Sequence, residues 1–209
     1  MLLQSVFLLL AVVWGQPATF GQSGRLDGCR VAILIADGYH DHEFWFPYYR
    51  FQEEGADVVV AGPKVGTVYG EGLHGKDGLP AKVTHTIQDI MDEEFDVVYL
   101  PGGIWAPMTL RAHSPTLQFV RNAMHDGQIV AAICHASWIL VSAELVRGRK
   151  IACPSDMAVD VTNAGGIYVE DAAVQDGNLI TAVYFGYLPE QFRILLPAIY
   201  EKLSGQKKN

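Results

Sequence analysis

The chain has 209 residues, 50 % of them hydrophobic and 18 % charged, and a formal net charge of −8. That composition buries a sizeable core and excludes disorder; the acidic balance excludes a general polyanion or nucleic-acid binder, which needs clustered Lys and Arg. Three cysteines with no CxxC or Cys/His ligand spacing exclude a disulfide scaffold and point to no metal.

Residues 1–22 carry no charged side chain, and Val6 to Trp14 is a continuous apolar run. The run is short for a membrane span and suits the central region of an export signal, with small-residue cleavage sites after Gly15, Ala18 or Gly21. The n-region lacks Lys and Arg, so a buried first strand or an uncleaved anchor is the alternative. Cleavage predicts a secreted or periplasmic protein of the secretory pathway, with no stable membrane span left. Outside the cytosol the odd count of Cys29, Cys134 and Cys153 leaves an unpaired thiol or an intermolecular bridge, and a Cys134–Cys153 or Cys29-mediated bridge stays open.

From Arg25 onward the pattern is α/β, read as a single domain over 23–205. Arg30 to Ala36 is a β-branched apolar run of the kind buried on both faces of a parallel sheet. A helix is predicted from near Glu43 to Glu54, with Pro47 in its first turns and Gly55 as its stop. Asp57–Ala61 is a second strand. Residues 64–95, with five glycines from Gly66 to Gly78, predict short strands and turns over a mobile surface segment. Asp96–Leu100 is a third strand, Pro115–Met124 a helix, Gln128–Ile133 a fourth strand, and Ser137–Val146 a helix. Ala173–Ala182 reads as a hairpin around Asp-Gly, and a helix from about Pro189 to Leu203 closes the chain. Gln206 to Asn209 reads as a frayed tail. The alternation predicts a three-layer α/β/α sandwich around a mostly parallel sheet, flavodoxin-like, with its site beyond the carboxyl ends of the strands.

Three such ends carry chemistry. Ala131-Ala132-Ile133-Cys134-His135-Ala136-Ser137 places a cysteine between a buried strand and a helix among small residues, the layout of a nucleophile elbow. The helix N-terminus is expected to lower the thiol pKa and favour thiolate; the alternative is a buried structural cysteine. Pro101-Gly102-Gly103 lets backbone amides approach a ligand, so Gly102 and Gly103, with the His135 amide, are a candidate oxyanion hole. Glu43 opens the first helix above the edge facing the elbow and is positioned to bond the sulfur or shuttle a proton; the alternative is a carboxylate favoured by the helix dipole alone. His40 and His42 at i and i+2 with Glu43 make a poor metal set.

At these ends the sequence resembles the DJ-1/PfpI superfamily of the class I glutamine amidotransferase-like fold. The resemblance rests on Asp41-His42-Glu43-Phe44-Trp45-Phe46-Pro47, Glu53-Glu54-Gly55 and Leu100-Pro101-Gly102-Gly103, then Ala131-Ala132-Ile133-Cys134-His135, Arg147-Gly148-Arg149-Lys150, Asn163-Ala164-Gly165 and Asp176-Gly177-Asn178. It spans roughly residues 29–203, and the Cys134-His135 pair points to the PfpI-like branch. The resemblance implies a nucleophilic or redox-active Cys134 bonded to Glu43, catalysis without a cofactor, and a homodimer or higher homo-oligomer. It admits glyoxalase or deglycase, isocyanide hydratase, peptidase, chaperone and stress-sensor functions, and the fold does not choose among them.

The chain departs from that pattern in several places. The carboxylate that PfpI-like peptidases recruit after the glycine loop falls on Pro107-Met108-Thr109, and the usual Gly-Pro after Cys-His is Ala136-Ser137. An arginine expected after the last hairpin strand is Val183, and a histidine supplied in the DJ-1 branch finds Cys153-Pro154-Ser155. The histidine role therefore falls to His135, or to His40 or His42. These changes predict an apolar mouth rimmed by Trp105, Trp138, Tyr184 and Phe185, with His40 beside them. The leading expectation is an enzyme whose Cys134 adds to a small reactive carbonyl or similar electrophile, with Glu43 and His135 moving protons. The competing expectations are a cysteine peptidase or amidase, and a non-catalytic oxidation sensor, chaperone or binding module.

Overall fold

The computed structural model describes residues 24–72 and 78–206. The expected export signal, the centre of the glycine-rich segment and the last residues of the tail lie outside the described residues. In chain order the elements are β1 (Arg30–Leu34), α1 (Asp41–Glu53), β2 (Asp57–Gly62), β3 (Gly66–Tyr69), β4 (Pro80–Val83), β5 (His85–Thr86) and β6 (Val97–Leu100). They continue with α2 (Trp105–Ala112), α3 (Ser114–His125), β7 (Ile129–Ile133), α4 (Ser137–Ser142), β8 (Lys150–Ala152), α5 (Ala158–Asn163), β9 (Ile167–Val169), β10 (Ala173–Asp176), β11 (Leu179–Ala182) and α6 (Leu188–Gln206).

The main sheet has seven strands in the order β10-β11-β7-β6-β1-β2-β5, parallel throughout except for the β10–β11 hairpin. Helices cover it as the predicted α/β sandwich requires. The apolar runs that lack alternation become the central strands: β6 and β7 are buried along their whole length and β1 after its first residue. The chain leaves β1 toward β2 on one side and returns through β6 and β7 on the other. The crevice between β1 and β6 is therefore a topological switch point, where parallel α/β sheets place their ligands.

Several boundaries differ from the sequence reading. Pro47 lies inside α1 rather than at its opening, and its missing N–H leaves the Glu43 carbonyl without an intrahelical donor. The glycine loop runs straight into α2, which the pattern did not announce because its first residue is an exposed tryptophan and no side chain caps it. α4 stops at Ser142, short of the predicted Val146, and Glu144 just beyond it takes a left-handed φ of 61° that no helix can continue. The hairpin turn is Gly177-Asn178: Asp176 pairs with Leu179, and Gly177 at φ 62° holds the first central position, as in a type II′ turn. Two small sheets lie outside the main one, the antiparallel pair β3–β4 and the parallel pair β8–β9, and the latter, which flanks α5, was not predicted.

α1 and α6 pack over one face of the sheet, where Phe51, Tyr99 and Phe192 meet ring to ring. The buried polar tie on that face is Gln191 of α6. It accepts from the Tyr99 hydroxyl at 2.9 Å and donates to the Ala132 carbonyl at 3.0 Å, so one side chain joins α6 to β6 and β7. Gln191→Leu leaves a fully buried tyrosine hydroxyl without its acceptor. It is expected to lower unfolding stability by about 2 kcal/mol, read from the urea midpoint; an unchanged midpoint would show that this tie contributes nothing net.

Candidate active site

Cys134 follows the last residue of β7 and has a φ of 58°, a left-handed conformation that a side chain adopts at a cost of roughly 1–2 kcal/mol. Ile133 before it is extended, and a 3₁₀ turn over Cys134–Ala136 leads into α4. The sharp change of direction carries the sulfur past the sheet edge. It needs space beneath, which Gly102 provides: a Cβ there would stand 2.6 Å from the Cys134 Cβ and 2.5 Å from Glu43 Oε2. Gly103 has a φ of 92°, and a Cβ on it would come within 2.6 Å of the Gly38 carbonyl oxygen. The glycines are therefore required by close approach as well as by dihedral angle.

The structure brings Cys134, His135 and Glu43 together. Cys134 Sγ lies 3.2 Å from His135 Nδ1, and His135 Nε2 lies 3.3 Å from Asp156 Oδ2. With the ring proton on Nε2 facing Asp156, Nδ1 presents its lone pair to the thiol. Trp138 packs against the imidazole, ring centroids 4.7 Å apart, and its indole N–H donates to Asp160 at 2.9 Å. Trp138 is thus a wall behind His135, half-buried, rather than part of an open mouth.

Glu43 is fully buried at the start of α1. Its Oε2 accepts the Gly102 N–H at 3.0 Å, while Oε1 has no hydrogen-bond partner among the described residues. Burial pushes this carboxyl up to about 8, opposed by the Gly102 amide and by contacts with Cys134 and the Phe185 amide, and reinforced by the charge of Glu71. At neutral pH burial thus favours the neutral acid form of Glu43.

The resting thiolate expected from the helix terminus is corrected by this arrangement. Burial, and secondly any charge on Glu43, push the Cys134 thiol up; only the amides of His135 and Gly103 pull it down. Cys134 is only 9 % exposed, so desolvation outweighs two amide dipoles. The oxyanion assignment changes in the same way. The Gly102 N–H is committed to Glu43, which leaves Gly103 and His135 as the amides facing the reacting position.

The other rim residues separate into two groups. Phe185 stacks on His40 at 4.7 Å and on His42 at 5.4 Å, and Tyr184 meets Phe185 edge-on; both aromatics are about two-fifths exposed. Burial, followed by His42, lowers the pKa of His40. Trp105 is 57 % exposed and opens α2 against Gly38. All three cysteines are free and buried, so no bridge joins Cys29, Cys134 and Cys153 to one another within the chain. Among the described residues no three His, Cys, Asp or Glu side chains converge on a metal position, and no helix is long and apolar enough to cross a membrane.

Two site residues escaped the sequence. Asp156 sits in a 3₁₀ turn just past β8, a strand too short to register, so no strand end was recognised there. Glu71 lies in the glycine-rich stretch after β3 and accepts the Ile104 N–H at 2.9 Å. The signal for Asp156 was the Pro154-Ser155-Asp156 turn after a short apolar run; Glu71 had none.

Residues 29–196 match the DJ-1/PfpI family. A protein from Pyrococcus abyssi named a deglycase is 36 % identical over 153 residues, 73 % of this chain and 89 % of the relative. Protein/nucleic acid deglycase 2 of Escherichia coli is 33 % identical over 155 residues, 73 % and 87 % of the two chains. A crystal structure of a two-domain Anabaena variabilis protein, with DJ-1/ThiJ/PfpI-like and ferritin-like domains, superposes with a TM-score of 0.73 at 35 % identity over 84 % of this chain; the match spans 50 % of that longer chain.

The buried acid makes stability depend on pH. Glu43 has a folded pKa of about 8 against an ordinary 4.5, so between these values the native state keeps a proton that the unfolded chain has released. Stability therefore falls as pH rises through that window, by a few kcal/mol in order of magnitude. Glu43→Gln should flatten this slope, gaining thermal stability over the wild type at pH 9 and little at pH 5, read from melting temperatures. A pH slope identical in the two proteins would place the Glu43 carboxyl in an ordinary environment.

Proposed function

The chain belongs to the DJ-1/PfpI family, and from that premise we propose that it is a cofactor-independent cysteine enzyme acting on small 2-oxoaldehydes or similar reactive carbonyls. The observation that carries this reading is the contact of Cys134 Sγ with His135 Nδ1 beneath a neutral, buried Glu43. A site whose nucleophile is 9 % exposed admits a small electrophile, and the deglycase names of the relatives support a carbonyl class.

His135 Nδ1 takes the thiol proton as the sulfur bonds to the aldehyde carbon. The carbonyl oxygen gains the electron pair, faces the amides of Gly103 and His135, and takes the proton of Glu43 to complete a hemithioacetal. The ionised Glu43 then removes the proton on the former aldehyde carbon, and the His135 imidazolium gives its proton to the neighbouring ketone carbon. The hydroxyl proton of the first carbon passes to the oxygen of the second, which leaves Glu43 protonated and His135 neutral. One carbon is oxidised and the other reduced, giving a 2-hydroxy thioester with no external redox partner. Water, activated by His135, cleaves the thioester to the 2-hydroxy acid and restores the thiol. Asp156 steadies the imidazolium in both half-reactions.

A second reading has one specific support: Asp156 completes a Cys134–His135–Asp156 relay within the chain, the carboxylate that the residues after the glycine loop do not supply. That relay suits an amidase or peptidase. The buried sulfur favours the smaller substrate, and cleavage of a fluorogenic peptide abolished by Cys134→Ala would favour the peptidase.

Purified protein is expected to convert methylglyoxal to lactate, with Cys134→Ala at background and Asp156→Asn reduced about two- to fivefold in kcat. The rate should fall above a pH of about 8, as Glu43 loses the proton it must donate. Equal background rates in wild type and Cys134→Ala would end the glyoxalase reading.

A further inference from the structure

The loop after β6 offers consecutive amides at Gly102, Gly103 and Ile104, and the outer two are each bound by a carboxylate. Gly102 N–H donates to Glu43 Oε2 at 3.0 Å and Ile104 N–H donates to Glu71 Oε2 at 2.9 Å. Between them, Gly103 at φ 92° keeps its N–H for the Cys134 position. Two carboxylates from different elements thus grip the loop on either side of the one amide that faces the reacting atoms.

Glu71 is itself held in place. Its N–H donates to the Tyr39 carbonyl at 2.8 Å, and the next amide, Gly72, donates to Asp41 Oδ2 at 2.8 Å. The Gly38 N–H in turn donates to the Tyr69 carbonyl at 2.7 Å, so the segment bearing Glu71 is stitched to the loop that leads from β1 into α1. This half-buried carboxylate, held by several backbone contacts, accepts from the loop after β6 through Oε2.

We propose that Glu71 is a positioning residue of the active site: its carboxylate clamps the Gly103 amide in place from the Ile104 side and sets its charge against Glu43. This deepens the proposed function and rests on it for its catalytic meaning. The electrostatics run in the required direction. Burial raises the Glu71 carboxyl, opposed first by the Ile104 amide and then by the charge of His135, and once ionised Glu71 is one of the groups that raise Glu43. The titratable groups facing Glu43 are Cys134 from the elbow, Tyr99 from β6 and Glu71 from the segment after β3; those facing Glu71 are His135, Asp41 and Glu43.

Two variants separate the clamp from the charge. Glu71→Gln keeps an oxygen that accepts from Ile104 and loses the charge, whereas Glu71→Asp keeps the charge and is one methylene too short to reach. In the full chain with ¹³C-carboxyl-labelled glutamate, E71Q should lower the Glu43 midpoint by about half a pH unit or more, while E71D leaves it near the wild-type value. Hydrogen exchange of the Ile104 amide should be roughly tenfold faster in E71D and stay protected in E71Q. With methylglyoxal, E71D should lose several-fold in kcat with little change in KM. A Glu43 midpoint that does not move in E71Q, or an Ile104 amide equally protected in E71D, overturns the proposal. Absence of turnover in the wild type would instead sink the proposed function, and the two spectroscopic readouts would still decide the role of Glu71.

Discussion

The hydrogen bond from the Gly102 amide to the buried carboxyl of Glu43 joins the two loops that flank the switch-point crevice, and the geometry of the site follows from it. Glu43 comes from the loop and helix after β1, Gly102 from the end of β6, and Cys134 from the end of β7. These strands lie side by side, with Ile33 level with Tyr99 and Tyr99 level with Ala131. The bond fixes the height of the glycine loop relative to α1. Gly102 in turn sets how closely the Cys134 backbone can pass, because nothing larger than hydrogen fits between that backbone and the carboxyl. A bulkier residue at 102 would push apart Cys134, Glu43 and the Gly103 amide together, since all of them border the same small volume.

Packing a carboxyl against a thiol in a dry site decides how protons are distributed. Burial pushes both groups up, any charge on Glu43 adds to the rise of Cys134, and the pair gives up its protons reluctantly. A site built to rest as a thiolate would expose the sulfur or place a cation beside it. Here the basic neighbour at contact distance among the described residues is the imidazole of His135, whose other ring nitrogen faces Asp156. The geometry suits ionisation at the moment of attack, when the developing charge moves to an oxygen facing two amides. It suits a permanently charged sulfur less well.

The fold was legible wherever a single residue pattern determined an element. The unbroken apolar runs at Val31–Leu34, Val97–Leu100 and Ile129–Ile133 had no alternative to a doubly covered parallel sheet, and the Gly177 turn announced its hairpin. The same logic reached Cys134, Glu43 and the glycine loop, because each stands directly after a recognisable strand. It failed where a site residue belongs to an element too short to leave a pattern. β8 has three residues, so Asp156 at its end looked like loop, and Glu71 was one acid in a glycine-rich stretch. Which of two adjacent glycine amides would face the substrate was also beyond the sequence. It depends on Glu43 capturing the Gly102 N–H, a fact of three-dimensional register rather than of residue type.

The same register explains why the departures from the family pattern need not disable the chemistry. The carboxylate absent from Pro107-Met108-Thr109 has a counterpart in Asp156, which reaches His135 from the β8 side of the sheet. Asp156 is 68 % exposed in its side chain, so its contribution to orienting the imidazole is modest and depends on solvent screening. Trp138 supplies the stiffness that an exposed carboxylate cannot: its ring packs on His135 while its N–H is anchored to Asp160. The imidazole is thus fixed by packing and tuned by charge from different residues. Its orientation therefore survives weakening of the His135–Asp156 contact by salt, whereas the stabilisation of its protonated form does not.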